Sequence, residues 1–450
     1  MKIRVRVAPS PTGFLHIGTA QSALYNWLFA RKNKGEFCLR IEDTDKERST
    51  KEYEQSILDA LEWLGLNWEG KVIRQSERTE KYKNALEKLL FEGRAFYCHH
   101  TKEELEGEAK DQAQNKKAQF HDCEHKNSEE GKKSGGLIRL AVERNSDRKV
   151  VFDDIIRGRI EFEAKLMSDV SLGNGFDRLL YNFTAVVDDI DMEITHVIRG
   201  EDHVSNTPKQ ILIYEALGKT PPQFAHLPLI LAPDRSKLSK RHGAVAVVDY
   251  KKDYLPEAII NFLGAMSCTF SKEILTKQEM IQEFELSKVH KSGAVFDVKK
   301  LNWLNSQYAK KLSPEEFKKS VGIPEIPDSA VPLITERLEK LSDAHHFDYF
   351  WKEPKYDKDL LKWKKSTLEN SLETLIKVKK IIKEFDFKKE KDELRKILDE
   401  FSIAVGDRGL IYWPLRVALT GKEKSPDPVD IAYVLGKEKT LERVRFALGI

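Results

Sequence analysis

The chain has 450 residues, of which 40% are hydrophobic and 33% charged, and its formal net charge is +3. This length predicts two to four domains, and the composition is typical of an ordinary globular protein. So small a net charge argues against a general polyanion binder, and four cysteines argue against a disulfide framework. No apolar run reaches the roughly 18 residues of a membrane span, and the opening MKIRVRVAPS lacks the apolar core of a signal peptide. We therefore expect a cytoplasmic protein with no membrane partner.

The first hundred residues alternate between strand and helix patterns. An apolar strand over 3–7 and a Pro/Gly turn over 9–13 precede a helix whose apolar residues recur every three or four positions up to Gly35. A strand is predicted at 37–41, and helices follow at 50–64 and 79–92. This alternation predicts a doubly wound parallel sheet.

A polar stretch over 101–135 interrupts that pattern, and the Lys/Glu/Gly-rich residues 126–136 predict a loop or a mobile insert. Strand patterns return at 136–142, 149–152 and 159–162, and the alternation resumes near Tyr181. From about 320 onward nearly every segment has helix periodicity. The predicted fold is therefore α/β: a Rossmann-like parallel sheet split by an insert, followed by an all-α C-terminal domain.

Two short motifs indicate a site for ATP. His16-Ile17-Gly18-Thr19 opens the first helix, where free backbone N–H groups and the helix dipole favour phosphates. Lys237-Leu238-Ser239-Lys240-Arg241 puts two lysines and a serine on a loop, as a cationic clamp for a triphosphate needs. In isolation, the ordinary interpretations are a histidine that caps a helix and a solvated basic loop. Their joint occurrence favours nucleotide binding.

The two motifs resemble the HIGH and KMSKS pair of class I aminoacyl-tRNA synthetases. Four further blocks narrow the resemblance to bacterial-type glutamyl-tRNA synthetases: RVAPSPTG at 6–13, RIEDTD at 40–45, VIRGEDH at 197–203 and FDVKKLNWLN at 296–305. Thr19 stands where HIGH has its second histidine, and glutamate-specific members commonly carry a small residue there. The helical final third also favours this family, since glutaminyl-tRNA synthetases typically end in β-barrels.

The resemblance implies a glutamate–tRNA ligase that uses ATP with Mg²⁺ to form glutamyl-adenylate and transfers the glutamyl group to the terminal adenosine of tRNA(Glu). Whether tRNA(Gln) is also charged is left open, and a monomer is the family norm. The implied domains are a catalytic domain at 1–100 and 181–240, an acceptor-end insert at 101–180, a stem-contact region at 241–319 and an anticodon-binding domain at 320–450.

The resemblance also assigns site residues. The catalytic set is His16, Gly18, Lys237 and Lys240, and the ATP-binding set adds Thr19 and Ser239. The glutamate-binding set is Arg6, Ala8, Ser10, Glu42, Tyr181 and Arg199. Glu42 would take the substrate ammonium, and Arg6 or Arg199 would form a forked pair with a carboxylate, with the order of the two arginines left open. Arg40 fits best as a surface ion pair on its strand.

Cysteine and histidine residues in the insert form a separate pattern. Cys98 and His100, then Cys123 and His125, offer four ligands to one tetrahedral ion, with zinc as the natural candidate. Some bacterial glutamyl-tRNA synthetases bind zinc at the matching place. His99 and His121 could compete for ligand roles, and chance clustering in a flexible insert is the alternative. The insert has too few apolar residues to fold alone, which is where a metal contributes folding free energy.

Two other function classes stay open from the sequence. A stand-alone nucleotidylyltransferase or tRNA-modifying relative would share the catalytic motifs, but it would lack the helical segment 320–450. A catalytically silent RNA-binding paralogue would be expected to lose His16, Glu42 or Lys240, and the chain keeps all three.

Overall fold

The structure is a computed structural model that describes residues 2–116, 120–143, 147–239, 246–364 and 366–450. The chain divides into two compact units, Met1–Lys251 with Pro256–Leu301 and Lys252–Leu255 with Asn302–Ile450. Among the described helices, none is both long enough and apolar enough to cross a membrane.

Twelve strands are found in the described residues, and all lie in the first unit. They are β1 (Arg4–Val7), β2 (Glu36–Ile41), β3 (Ile73–Arg74), β4 (Ala95–Cys98), β5 (Leu137–Leu140), β6 (Lys149–Asp154), β7 (Gly158–Glu163), β8 (Val170–Asn174), β9 (His196–Gly200), β10 (Gln223–Leu227), β11 (Ile230–Leu231) and β12 (Ala294–Val295).

Sixteen α-helices are described. They are α1 (Ile17–Lys32), α2 (Lys51–Trp63), α3 (Thr79–Phe91), α4 (Lys102–Gln114), α5 (Tyr181–Asp191), α6 (Thr207–Ala216), α7 (Val247–Tyr250), α8 (Pro256–Met266), α9 (Lys277–Glu283), α10 (Val298–Ala309), α11 (Pro314–Val321), α12 (Val331–Thr335), α13 (Leu368–Glu384), α14 (Lys391–Val405), α15 (Gly409–Thr420) and α16 (Pro428–Leu448).

Parallel strands form the centre of the first unit. β1 pairs with β2 and β2 with β3, while β10 lies between β9 and β6, all in parallel. The Thr195 amide, just before β9, donates to the Arg4 carbonyl at 2.9 Å, so β9 starts beside β1. The carboxyl ends of these strands therefore meet at one edge, where ligands bind in open α/β sheets.

The insert between the two halves of this sheet has its own antiparallel sheet, β4–β5–β8. It also contains α4, which begins with a capping box between Thr101 and Glu104. The predicted loop, residues 126–136, does not include this helix. The sequence analysis did not predict α4, because none of its residues is buried and no apolar face marks it. The Thr-x-x-Glu spacing was the available signal.

The described part of the second unit is helical and contains no strand. Its buried residues include Phe317, Leu375, Leu398 and Val444. Arg443 is buried with them and donates to the Leu419 carbonyl at 2.6 Å and to the Lys352 carbonyl at 3.0 Å. With the parallel sheet of the first unit, this arrangement confirms the predicted fold class. Which segments contact the acceptor end, the stem and the anticodon remains a prediction.

Candidate active site and candidate metal centre

A cavity of about 380 Å³ lies at the carboxyl ends of β1, β9 and β10 and at the start of α1. Nine of the predicted site residues line it: Arg6, Ala8, His16, Gly18, Thr19, Glu42, Tyr181, Arg199 and Lys237. Ser10 and Ser239 are described but are not among its lining residues, and Lys240 lies outside the described residues. One cavity thus joins residues of the first strand and helix to the first lysine of the basic loop.

His16 both caps α1 and lines this cavity. Its Nδ1 accepts a hydrogen bond from the Gly18 amide at 3.0 Å. Because Nδ1 is the acceptor, Nε2 carries the ring proton and is the donor. A Cβ added at Gly18 would lie 3.3 Å from His16 Nδ1, so glycine there keeps the cap close. The capping role and the predicted site role are therefore compatible in the same imidazole.

Arg6 is held by a buried carboxylate that the sequence analysis missed. Its Nε donates to Asp189 Oδ1 at 3.0 Å and its Nη2 to Asp189 Oδ2 at 3.2 Å, and both residues are buried. Arg40 Nη1 also donates to Asp189 Oδ1, at 2.5 Å. Burial alone would raise the pKa of Asp189, but the charges of Arg6 and Arg40 outweigh it and hold that pKa below its usual value. The Asp189 carboxylate is thus shared by two guanidinium groups.

The interpretation of Arg40 as a surface ion pair was wrong, because its side chain is fully buried. Arg40 Nη2 donates to Glu42 Oε1 at 3.1 Å, which turns that carboxylate toward the interior. Burial raises the pKa of Glu42, and Arg40 acts in the opposite direction. The Ser10 hydroxyl donates to the Glu42 carbonyl at 2.8 Å, so Ser10 fixes the backbone of a lining residue instead of lining the cavity.

Arg199 and Tyr181 also line the cavity. Arg199 is 7% exposed, and burial lowers the pKa of its guanidinium. The Tyr181 hydroxyl lies 3.3 Å from His203 Nδ1, and burial raises the pKa of this tyrosine. Lys237 Nζ donates to Asp202 Oδ2 at 3.2 Å, and the lysine side chain is largely exposed. The cavity therefore combines two buried guanidinium groups, the two carboxylates of Glu42 and Asp202, and an exposed ammonium.

The insert holds a compact group of four side chains that could bind a metal ion. Cys98 Sγ, His100 Nδ1, His121 Nε2 and Cys123 Sγ all lie within 4.8 Å of one another. Three of these residues were predicted ligands, but His121 takes the place given to His125. The His125 Nδ1 lies 3.4 Å from Cys123 Sγ and accepts the His99 backbone amide at 3.4 Å. The Nδ1 lone pair of His125 is thus occupied by a hydrogen bond, whereas His121 Nε2 lies 3.7 Å from Cys98 Sγ.

Several residues that shape the site were not predicted from the sequence. Asp189 and Asp188 are buried in α5, although two adjacent acids in a run of apolar residues were a visible signal. His226 and Asp154 are also buried, on β10 and β6, at 2.6 Å from each other. No sequence pattern distinguishes that histidine from one that merely packs in the core.

The chain matches two family profiles. The catalytic domain of class I tRNA synthetases (E and Q) matches residues 2–303, and the anticodon binding domain matches residues 286–448. The chain therefore belongs to the class I tRNA synthetases of the E and Q type.

Individual relatives narrow the class further. The chain is 40% identical over 467 residues to the glutamate--tRNA ligase of Thermodesulfovibrio yellowstonii, with 98% of both chains covered. It is 41% identical over 478 residues to glutamate--tRNA ligase 1 of Caldanaerobacter subterraneus subsp. tengcongensis, with 99% of this chain and 98% of the relative covered. The crystal structure of a glutamate tRNA ligase from Elizabethkingia meningosepticum in complex with its amino acid superposes with a TM-score of 0.86 at 32% identity, covering 100% of this chain and 99% of that one. Within its class, the chain is a member of the glutamate--tRNA ligases.

Proposed function

We propose that the cavity joins L-glutamate to ATP and then passes the glutamyl group to the terminal adenosine of tRNA(Glu). The supporting observation is that one cavity is lined by the guanidinium groups of Arg6 and Arg199, the carboxylate of Glu42 and His16. Glutamate has two carboxylates and one ammonium, so Glu42 would take the ammonium and Arg6 and Arg199 the carboxylates. An amide in place of the side-chain carboxylate would leave a buried charge unpaired, which accounts for rejection of glutamine.

For activation, the glutamate α-carboxylate attacks the α-phosphorus of ATP and pyrophosphate leaves. Catalysis of this step is mainly positioning and neutralisation of charge that grows on phosphate oxygens. His16 Nε2–H would donate to such an oxygen, and Lys237 and Lys240 would stabilise the departing phosphates. Mg²⁺ would enter with the triphosphate and supply further positive charge there.

The remaining parts of the proposal concern the RNA and the setting. Residues 101–180 would meet the acceptor end of tRNA, 241–319 its stem and 320–450 the anticodon. The enzyme would act as a monomer in the cytoplasm, and charging of tRNA(Gln) is a second activity that the same site would perform if the anticodon domain accepts that tRNA.

The test of the proposal is ATP–pyrophosphate exchange with glutamate, run with and without tRNA. We expect exchange that depends on glutamate and increases with tRNA. Lys240→Ala should lower the rate roughly 10²–10³-fold, as expected for loss of one preorganised donor. Lys71→Ala, at an exposed lysine that does not line the cavity, is the matched control. A normal exchange rate for Lys240→Ala would show that this lysine does not act in the active site. Charging assays on purified tRNA(Glu) and tRNA(Gln) show whether the enzyme uses one or both.

We further propose that the insert binds one structural Zn²⁺ through Cys98, His100, His121 and Cys123. Tetrahedral zinc puts its sulfur and nitrogen ligands about 3.4–3.8 Å apart. The distances from Cys98 Sγ to His100 Nδ1 and to His121 Nε2 are 3.5 and 3.7 Å, and Cys123 Sγ lies 3.7 Å from His100 Nδ1. The ion would stabilise the fold of the insert, remote from the reaction.

Glu108 supports the choice of His121 over His125. His121 Nδ1 lies 2.6 Å from Glu108 Oε2, so this nitrogen carries the proton and Nε2 keeps its lone pair for a metal. The His125 Nδ1 lone pair instead accepts the His99 amide. Metal analysis of the unaltered protein should find one zinc per chain, and finding none would end the zinc proposal. His121→Ala should weaken zinc binding in a chelator competition much more than His125→Ala, and the reverse order would return the ligand role to His125.

A further inference from the structure

Arg6 and Arg199 line the same cavity but are held in different ways. Arg6 forms a forked ion pair with the Asp189 carboxylate. Arg199 donates from Nε to His226 Nε2 at 3.2 Å and from Nη2 to Thr207 Oγ1 at 2.8 Å. In the described part of the chain, Arg199 forms no ion pair with a carboxylate. Its guanidinium is therefore oriented by neutral acceptors, and its positive charge is left for a ligand.

The tautomer of His226 follows from its other partner. His226 is fully buried, and its Nδ1 lies 2.6 Å from Asp154 Oδ2. Asp154 also accepts the backbone amides of Ile156, Arg157 and His226, at 3.0, 2.8 and 3.0 Å. A carboxylate with this many donors is an acceptor, so Nδ1 carries the proton and Nε2 presents its lone pair to Arg199 Nε at 3.2 Å and to the Thr207 hydroxyl at 3.0 Å. Burial also lowers the pKa of His226, against the effect of Asp154, which agrees with a neutral ring.

Strand pairing builds this connection into the sheet. His226 and Arg199 are direct partners in the parallel pairing of β10 and β9. Asp154 is in register with Phe224, two residues before His226, in the pairing of β10 and β6. Arg199 thus donates to His226, and His226 donates to Asp154, across three neighbouring strands, so strand pairing fixes each member.

We propose that Asp154 and His226 are positioning residues that hold the Arg199 guanidinium for a substrate carboxylate without neutralising it. This inference rests on the proposed function, since it needs glutamate in the cavity. A carboxylate in place of the imidazole would satisfy the charge of Arg199 before the substrate arrives. A neutral acceptor fixes the direction of the guanidinium and keeps its charge available.

The main test compares His226→Phe with His226→Gln in glutamate-dependent ATP–pyrophosphate exchange with tRNA present. Phenylalanine keeps the ring but removes the acceptor, and we expect the KM for glutamate to rise roughly 10–100-fold while the KM for ATP stays within about twofold. Glutamine offers a neutral side-chain acceptor and should restore most of the loss. An unchanged KM for glutamate in His226→Phe, or an equal rise in the KM for ATP, would overturn the proposal.

A third variant tests the role of charge. His226→Glu supplies an acceptor but adds a carboxylate against Arg199, so it should raise the KM for glutamate more than His226→Gln does. Equal KM values for these two variants would overturn the claim that the charge of Arg199 is kept for the substrate. Thermal midpoints of all three variants identify any that fail to fold.

A measurement on the unaltered protein does not depend on variants. The ¹⁵N chemical shifts of His226 should report the Nδ1–H tautomer, and the Nε2–H tautomer would overturn the proposal. If the unaltered protein shows no glutamate-dependent exchange, the proposed function itself fails. If the unaltered protein shows normal exchange and the His226 variants keep its KM for glutamate, only the positioning role of His226 is refuted.

Discussion

The cavity and the metal cluster are assembled by different means. Around the cavity, the buried charges of Arg6, Arg40 and Asp189 are paired within the protein: Asp189 joins Arg6 and Arg40, and Arg40 reaches Glu42. Around the cluster, the buried apolar group consists of Phe96, Cys98 and Cys123, and two of these three are candidate ligands. The cavity is therefore held by protein groups alone, whereas, among the described residues, the small buried cluster at the candidate metal centre has Phe96 as its one buried apolar member besides the two cysteines.

Backbone packing shows the same difference. The cavity residues lie at the ends of strands whose other residues are buried, such as Val5, Leu39 and Ile198. In the insert, Gly136 has a φ of +74°, and a Cβ there would lie 2.4 Å from the Cys98 carbonyl oxygen. The chain next to Cys98 thus requires a glycine at position 136 for this close approach. Removal of one side chain should therefore destabilise the whole surroundings of the cavity, whereas in the insert the effect should stay local.

The largest expected effect comes from removing the carboxylate that two arginines share. Asp189→Ala leaves the guanidinium groups of Arg6 and Arg40 buried without it, and we expect the first unit to lose about 3–5 kcal/mol of stability. Hydrogen exchange of the amides in β1 and α5 measures this loss directly.

The control for that experiment is Asp45→Ala, which breaks an exposed pair with Arg48. The Arg48 side chain is 75% exposed, and such pairs contribute about 1 kcal/mol or less. A loss for Asp189→Ala as small as that of Asp45→Ala would show that the cavity does not depend on its buried ion pairs.

The same contrast explains how far the sequence could predict the molecule. The fold class followed from the alternation of strand and helix patterns and from the helical final third. His16, Glu42 and Arg199 were found because they lie in motifs typical of a family. Asp189 and His226 were missed because their importance comes from long-range contacts, from Asp189 to Arg6 and from His226 to Arg199.

The errors also have physical causes. Arg40 was assigned to the surface because a lone charged residue on a strand usually lies there, and tertiary packing with Asp189 overrode that tendency. The fourth metal ligand stays a prediction. Cys-x-His spacing favours His125, with His121 as a competitor, whereas the hydrogen bond from His121 to Glu108 supports our proposal of His121, and spacing alone does not reveal that contact.

A smaller, local effect is expected in the insert. Cys98→Ser should weaken zinc binding by at least the roughly 10–100-fold that loss of a supporting residue costs. Hydrogen exchange should become faster over 98–125 and stay unchanged in β1, and chelation of the metal should give the same pattern. Glutamate-dependent ATP–pyrophosphate exchange should persist, since none of the four candidate zinc ligands lines the cavity.

Cys38→Ser is the matched control for that variant. Cys38 is a free, half-buried cysteine on β2, outside the cluster. Its replacement should leave the zinc content and the rate of hydrogen exchange over 98–125 unchanged. If Cys98→Ser instead loosened β1 as much as the insert, the two regions would be coupled and the contrast between them would fail.

The smallest effect is a pH dependence on the cavity side. Burial, together with the charge of Arg199, lowers the pKa of His203 to about 4, and Asp202 acts against this. The folded protein thus keeps this ring neutral while the unfolded chain takes up a proton below about pH 6.5. Because the unfolded state binds more protons between pH 6.5 and 4, the contribution of His203 to stability falls as the pH falls through that range.

His203→Asn should therefore gain stability relative to the unaltered protein as the pH drops from 7.5 to 5. We expect a relative change of about 1 kcal/mol, since one proton corresponds to about 1.4 kcal/mol per pH unit and partial exposure reduces it. Denaturant midpoints of both proteins at the two pH values measure it. His290→Asn, at an exposed histidine of the same unit, is the control. If His203→Asn and His290→Asn showed the same change in stability between pH 7.5 and 5, the electrostatics of the cavity would not extend from Arg199 to His203.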